Sequence, residues 1–455
     1  MSKNSVHTFG CRLNTYESEI INGFVKKHDL QDKVIVVNSC AVTNGTESGI
    51  IRFVKKYKKD NPEVKIIFTG CGAQTNPEKY NAISEIDYLI GNKEKMEEQV
   101  FEKLSQSINN NEAFVAENIA KTDDNNRHQD ILYKKQVGAT SINLENRAIV
   151  NNIMSVKDTA SHLVEYFEGQ TRAFVQIQNG CNHRCTFCII PYGRGNSRST
   201  PLGDIVAQIN KLTENGYKEV VLTGVDITDY GKDLPSKITL SQAIKRILQN
   251  CPALPRLRLS SIDVAETDEE LFEILASEPR FMPYFHISLQ SGDDLVLKQM
   301  ARRHKRDDVI NFCNKVKQIK PDAMFGADII SAFPTETEAA FQNSLDIIEQ
   351  ADISFGHIFT FSPKNGTPAA KMKQLNGKIA KERTKLLIEK SKAQLLQNYS
   401  KMIGGVYQVL TEQNNLAHTQ NFALVKINGA PLPPNQFVNV KITSLQPSFL
   451  VGEVE

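Results

Sequence analysis

The sequence predicts an α/β protein in three parts: an N-terminal parallel α/β domain, a central open (β/α)6 partial barrel, and a small C-terminal antiparallel β-barrel. Three observations carry this reading. Short apolar runs alternate with amphipathic helical patterns in the first hundred residues, at a spacing of about 30 residues per strand–helix unit. The same alternation occurs six times between residues 171 and 398. After Gly404-Gly405 the pattern changes to short alternating segments broken by prolines, the mark of a small all-β module.

In the first part, residues 6–9, 34–37 and 66–69 read as strands, with helices over 16–27 and 50–58. Cys11, Cys40 and Cys71 each follow the carboxyl end of one of these strands, 29 and 31 residues apart. In a parallel α/β sheet, of which flavodoxin-like domains are an example, strand ends lie along one edge where ligands bind. Cysteines distant in sequence therefore converge, and three thiolates in one place make a metal or cluster site. Three unrelated core thiols are the blander reading. The glycines beside Cys11 and Cys71, which let a bulky group approach the backbone, weigh against it.

The chain has 455 residues, enough for about three domains, with 40% apolar residues and a net charge of +2. That balance does not by itself mark a nucleic-acid binder. Eight cysteines without a disulfide-like density, and an opening MSKNSVHTFGCRLN without an apolar core, predict a reducing, cytoplasmic setting and no membrane span. The basic runs Lys55, Lys56, Lys58, Lys59 and Arg302-Arg303-His304-Lys305-Arg306 read first as solvated faces and second as phosphate grips. Cys251 and Cys313, at a helix end and in a helix interior, read as ordinary partly buried thiols. The expected division is 1–116, a linker over 117–170 containing the polar run KTDDNNRHQ (121–129), then 171–398 and 399–455.

The central part should place strands at 173–177, 220–223, 256–260, 285–289, 326–330 and 356–361, with helices between them such as Leu202–Glu214, 241–249 and 336–350. The first strand leads into GCNHRCTFCIIP, where Cys181, Cys185 and Cys188 form a CxxxCxxC loop. Three soft thiolates from one loop leave a four-ligand site incomplete. A structural zinc would close with a fourth ligand, and His183, lying between the first two cysteines, is a poor tetrahedral partner. A [4Fe-4S] cube on three thiolates leaves one iron open for a small molecule. The spacing, with Phe187 before the last cysteine, resembles the cluster loop of radical S-adenosylmethionine (SAM) enzymes, in which that iron takes the methionyl amino and carboxylate groups. SAM should then lie across the carboxyl ends of the strands. Gly224 and Asp226 after the second strand, Ser261 after the third, Ser288 and Gln290 at the fourth and Asp328 at the fifth are the candidate contacts, beside Phe187 on the loop. Some of these could equally cap helices or close turns.

The tail follows a long amphipathic helix over 380–399. It has strand patterns at Val406–Thr411, 423–426 and 437–442, with a proline-rich turn at Pro431, Pro433 and Pro434. So short a domain needs closure to manage its edges, which predicts a barrel. Its charges balance at three of each sign, so electrostatics does not argue for RNA. His418, Gln420, Asn421 and Phe422 are the candidate polar and stacking contacts to RNA.

Taken together, GCRLNTYESE, VNSCAVT, GCNHRCTFCIIPYGRGNSRS, LTGVDITDYG, LRLSSID, HISLQSGDD and DIISAFPTETE resemble the radical SAM methylthiotransferases over nearly the whole chain. GCRLNTYESE and NSCAVTN are most similar to the branch acting on N6-threonylcarbamoyladenosine in tRNA, whereas the isopentenyladenosine branch more typically reads GCQMN, from which Arg12-Leu13-Asn14 departs. The resemblance says little about 121–168. It implies a TRAM-like C-terminal barrel and two [4Fe-4S] clusters, one on Cys181, Cys185 and Cys188 and a second on Cys11, Cys40 and Cys71 that presents sulfur. It further implies methylthiolation of C2 of the adenine at position 37, a tRNA anticodon stem-loop as partner, and an electron donor such as flavodoxin or ferredoxin. A monomer is expected, since nothing marks a dimer face. Two other readings stand beside it: a sibling enzyme acting on isopentenyladenosine or a ribosomal protein, and a non-catalytic iron–sulfur or zinc module that binds RNA.

Overall fold

The computed structural model describes residues 5–110, 147–159 and 162–455, and the chain forms two compact units. The first gathers Met1–Val164, Gln178–Thr200 and Ser362–Lys371; the second gathers Glu165–Ile177, Pro201–Phe361 and Met372–Glu455. The polar run at 121–129 lies outside the described residues.

The first unit is built on five parallel strands, Val6–Thr8, Val34–Ser39, Lys65–Gly70, Tyr88–Ile90 and Ala148–Ile149. The second strand is buried at every residue, as strands covered on both faces are. The three strands expected from sequence are present, and two short ones, three and two residues long, extend the sheet. Runs that brief carry no readable periodicity. The strands follow chain order across the sheet, without the order reversal of flavodoxins. The first helix, Arg12–Lys27, begins four residues earlier than its apolar pattern, because extended Cys11 serves as its N-cap and the polar Asn14 and Glu17 are buried with Leu13. Hydropathy alone marks those polar residues as outside.

Two later segments complete this unit. Gln178–Asn179 pairs antiparallel with Arg198–Ser199, closing the loop between them. Residues 362–371 reach the helix Asn44–Asp60, where Lys364 Nζ contacts Glu47 Oε1 at 2.6 Å and Asn44 Oδ1 at 3.0 Å.

The second unit carries all six strands expected of a (β/α)6 partial barrel, every pairing parallel. The third is interrupted at Ser260 into Arg256–Leu259 and Ser261–Ile262, so the hydrogen-bonded array divides into a three-stranded and a four-stranded sheet. Burial falls off toward the carboxyl ends. Along Tyr284–Gln290 only Ser288 and Gln290 are half-exposed, and along Met324–Ser331 only Asp328 and Ile330. A strand half-exposed at alternate residues near its carboxyl end faces an open space there.

The tail closes into a five-stranded barrel of Val406–Thr411, Leu416–Thr419, Leu424–Asn428, Leu450–Val454 and Phe437–Leu445, in that spatial order, matching a TRAM-like domain. Four pairings are antiparallel; Leu424–Asn428 with Leu450–Val454 is parallel. An odd number of strands in a closed ring cannot alternate throughout, so one parallel pair is required. The strands at 416–419 and 450–454 were not among those expected.

The barrel is fixed to the strands of its own unit. Arg258 forms a fork on Glu219 (both contacts 3.0 Å) and donates to Gln420 O (2.9 Å), while Arg256 donates to Gln408 O (2.9 Å) and lies 4.6 Å from the Phe437 ring centroid. Burial alone would raise the Glu219 carboxyl, but Arg258, Arg172 and Arg256 hold it at about 2. Phe422 packs 4.6 Å from Tyr284 and 4.7 Å from His418. Asn421 donates to Asp322 O, and His418 contacts Glu412 at 2.8 Å. Of the four residues expected to meet RNA, Asn421 is buried in the joint between the barrel and the sheet, His418 and Phe422 are half-buried beside it, and Gln420 is exposed. The run Arg302–Arg306 is largely engaged within its own unit, with Arg303 and Lys305 exposed. Arg302 binds Asp263 and Ser288 O, Arg303 binds Glu266, His304 is buried against Leu289 O, and Arg306 holds Gly292 O and Gln350.

Candidate active site

The CxxxCxxC loop is tied at its base by backbone. Cys181 N donates to Gly195 O (3.1 Å) and Cys188 N to Cys185 O (3.0 Å). Gly180 sits at φ +74, and a Cβ there would fall 1.9 Å from Asn196 O, so glycine is required where the loop leaves its strand. Gln178 Nε2 bridges Gly180 O and Ser197 Oγ, and Arg184 clasps Cys181 O and Asn196. His183 N donates to Cys181 Sγ (3.4 Å), a hydrogen bond that stabilises charge on sulfur. The three cysteines and Phe187 are half-buried, fixed in place while open to a ligand. Ala369 N, from the third chain segment, bonds Thr186 O within the loop.

Cys11, Cys40 and Cys71 meet at the carboxyl edge of the parallel sheet, in the same unit. Gly10, at φ +107, would place a Cβ 2.8 Å from Cys40 Cβ and 3.0 Å from its Sγ. Burial pushes the Cys40 thiol up to about 12, and the neighbouring Cys71 and Cys11 sulfurs add to the shift. A thiol of this kind ionises when a metal replaces its proton. Asn92 Nδ2 points at Cys71 Sγ (3.6 Å), and Asn14 Oδ1 is 3.9 Å from Cys11 Sγ. The two cysteine sets are neighbours: Ile189, next to Cys188, packs with Cys71, Ala41 and Tyr192 in one apolar cluster, and a Cβ on Gly193 would lie 3.6 Å from Cys71 Sγ. Soft thiolates in two sets of three, each with glycine-lined access, suit iron–sulfur clusters.

A charged network that the sequence reading assigned no role lies beside the second set. Arg194 forks onto Glu17 (2.8 and 3.0 Å) and reaches Asn14 Oδ1 (2.5 Å), while Lys95 Nζ contacts the same Glu17 at 2.7 Å. Exposure is 2% for Arg194, 2% for Glu17 and 0% for Lys95. The available signal was Asn14 and Glu17, one turn apart on the buried face of the helix that starts at Cys11.

In the second unit, the candidate SAM contacts occupy strand ends or their vicinity. Gly224 follows Glu219–Thr223 and is half-exposed; Asp226 is buried, accepts from Thr228 Oγ1 (3.0 Å), and precedes the short turn Ile227–Asp229. Ser261 pairs in register with His286. Ser288 and Gln290 lie on one face, and Gln290 is held at φ +68 beside a register shift, a strained backbone of the kind found where a side chain is aimed at a ligand. Asp328 sits mid-strand, between His286 Nε2 (3.2 Å) and His357 Nδ1 (3.4 Å). Burial would raise its carboxyl, yet the two imidazoles hold it well below the usual carboxylate range. Neither histidine was singled out from sequence.

Known proteins resemble this chain along most of its length. The Radical SAM superfamily model matches residues 175–348 and that of the uncharacterized protein family UPF0004 matches 3–91. The threonylcarbamoyladenosine tRNA methylthiotransferase MtaB of Rickettsia prowazekii is 47% identical over 426 residues, 94% of this chain and 91% of that protein. The chain belongs to the MtaB-type radical SAM methylthiotransferases. The methylthiotransferase is also 32% identical to MtaB of Aquifex aeolicus (94% of this chain, 97% of that one). It is 29% identical to the tRNA-2-methylthio-N(6)-dimethylallyladenosine synthase of Desulforamulus reducens (99% and 94%). Among solved structures, the radical SAM methyltransferase TsrM of Kitasatospora setae shares the fold at TM-score 0.51 and 14% identity, over 74% of this chain and 63% of that one. A radical-SAM iron–sulfur and SAM cofactor system is thereby indicated for this methylthiotransferase. Among the described residues, no helix is long and apolar enough to cross a membrane.

Proposed function

We infer that this enzyme installs a methylthio group at C2 of N6-threonylcarbamoyladenosine at position 37 of tRNA, using two [4Fe-4S] clusters. The observation that carries the reading is the union of both cysteine triads in one compact unit, with Ile189 beside Cys188 packed on Cys71. The choice of nucleoside is supported by the relatives named MtaB, at identities up to 47% over nine-tenths of the chain. Cys181, Cys185 and Cys188 would hold the cluster that binds SAM, and Cys11, Cys40 and Cys71 the second one. Together, when bound, they supply a carbon radical able to take hydrogen from an unactivated aromatic position and a sulfur carrier to replace it.

The protein's part is orientation and exclusion of water. Gly180 and Arg184 fix the loop, so the open side of its thiolates points one way. Gly10 lets the second centre sit against backbone. Gly224, Asp226, Ser261, Ser288, Gln290 and Asp328, with Phe187, are proposed to bind SAM along the strand ends. The proposed division is a cluster domain over 1–116, a linker over 117–170, a radical SAM domain over 171–398 and a TRAM-like domain over 399–455. The partners are the anticodon stem-loop and a one-electron donor such as flavodoxin or ferredoxin.

Anaerobic turnover of the reconstituted protein with SAM, reductant and tRNA carrying threonylcarbamoyladenosine, read by nucleoside mass spectrometry, tests the reaction. One added methylthio group on that nucleoside is expected. Cleavage of SAM without that gain, and a gain on isopentenyladenosine instead, would transfer the enzyme to the sibling branch. Replacing Cys40 by Ala should abolish methylthiolation and retain SAM cleavage, whereas Cys185→Ala should abolish both.

A further inference from the structure

Burying a charge is costly unless it is paired, and removing one partner of a buried pair costs several kcal/mol. Among the described residues, the network below the second cysteine set holds two cations, Arg194 and Lys95, around a single carboxylate, Glu17. The next buried acid, Glu94, turns away to Asn151 Nδ2 (2.7 Å). With both bases protonated, one positive charge is in excess at a place almost sealed from water; burial works against the Lys95 ammonium, and its contacts to Glu17 and Asn38 Oδ1 favour it. Its direction is defined by contacts: Arg194 and the Cys11 thiol share Asn14 Oδ1, and Asn92 ties Cys71 Sγ to Gly193 O, one residue before Arg194. Burial opposes the guanidinium charge, and the Cys71, Glu17 and Cys11 groups restore it.

We propose that Arg194 and Lys95, held by Glu17, form a fixed positive counter-charge for the centre on Cys11, Cys40 and Cys71, raising its reduction potential and favouring an anionic sulfur ligand such as hydrosulfide. They are positioning residues. Glu17 locks the two cations in place and leaves one unit of charge uncancelled. Three thiolates, an added electron and an anionic ligand all increase negative charge at a buried site, where Coulomb interactions are screened least. Net charge and hydrogen bonding to sulfur are the levers by which a protein sets a cluster's potential.

This inference rests on the two-cluster reading and is independent of the tRNA substrate. Its test uses the full chain with Cys181, Cys185 and Cys188 replaced by Ala, so that only the second centre can load, with iron content, an EPR-monitored redox titration and binding of inorganic sulfide as readouts. Arg194→Gln should lower the midpoint potential and Glu17→Gln should raise it. Each shift should be about tenfold in the one-electron equilibrium, or ~59 mV. The double variant should return near the parent value, and sulfide binding should weaken about tenfold in Arg194→Gln, by the same electrostatic argument. Lys95→Met removes the same charge while sparing the Arg194–Glu17 fork, and covers the case in which Arg194→Gln fails to load iron. Shifts of one sign in both directions of charge change, or none in iron-loaded variants, would overturn the proposal alone. Absence of iron from the parent triple variant would overturn the two-cluster reading and the proposal with it.

Discussion

Glu94 shows how far burial alone can move a carboxyl in this protein. Its side chain is fully buried, and burial pushes its pKa up from 4.5 to about 7, with Asn151 only partly offsetting the cost of the charged form. The folded state therefore binds the proton more tightly than the unfolded chain. The stability this contributes is complete below about pH 4.5 and is lost as pH rises through about 7. The corresponding free energy is about 3 kcal/mol at one pH unit per 1.36 kcal/mol. Glu94→Gln, which resembles the protonated acid, should leave stability near pH 4 unchanged and raise it at pH 8; denaturant unfolding of the metal-free protein at both values checks this. At the same scale, sequence and structure part company over polar residues. The cysteines were legible because their chemistry is specific and their spacing matches a strand–helix repeat. Glu17, Lys95 and Arg194 were not, since a buried charge is readable only once its partners, 78 and 177 residues away for Glu17, are in place.

Elements were largely legible where they are long. The helix Leu202–Glu214 falls where its pattern places it, and Gly377–Ser400 starts three residues earlier and ends one residue later than expected. The two short strands of the first sheet and two of the barrel strands were missed because pairing partners, more than local pattern, make them strands. The junction of Ile353–Thr360 with Gly377–Ser400 is the tightest test of an element contact. Gly356 N donates to Ser391 Oγ at 2.8 Å, and a Cβ on Gly356 would lie 2.6 Å from that oxygen and 2.9 Å from Ser391 Cβ. Gly356→Ala should destabilise the protein by about 1–3 kcal/mol, as overpacking does. Adding Ser391→Ala should recover part of that loss, because the crowding atom is then gone; a double-mutant cycle by thermal unfolding reads the coupling.

At the level of the whole chain, the order of domains was readable and the way the segments interleave was not. The barrel was expected as a separate RNA-binding module, yet within its unit it shares one core with the sheet: Tyr284, Met324 and Tyr399 are buried together with Val409, Val425, Ile442 and Leu450, and Phe355 and Phe422 pack against them. A chain ending at Ser400 should lose that core's other half and expose a contiguous apolar face. Such a truncation is expected to bind a hydrophobic dye and to aggregate, rather than to fold as an enzyme lacking only tRNA affinity. Solubility and dye fluorescence of the shortened chain decide the point.

The first unit is sewn from three stretches of chain, and its last stitch, Lys364 on Glu47 with Ala369 on Thr186, comes more than three hundred residues after its first strand. A ribosome delivers the chain from the N-terminus at a modest pace, so for most of synthesis Cys11, Cys40 and Cys71 wait on an unfinished scaffold with Arg194 or residue 369 still unmade. On the two-cluster reading, iron delivery to both triads would wait until residue 371 is made, and a chain short of its last hundred residues would hold ligands without a complete scaffold for their metal.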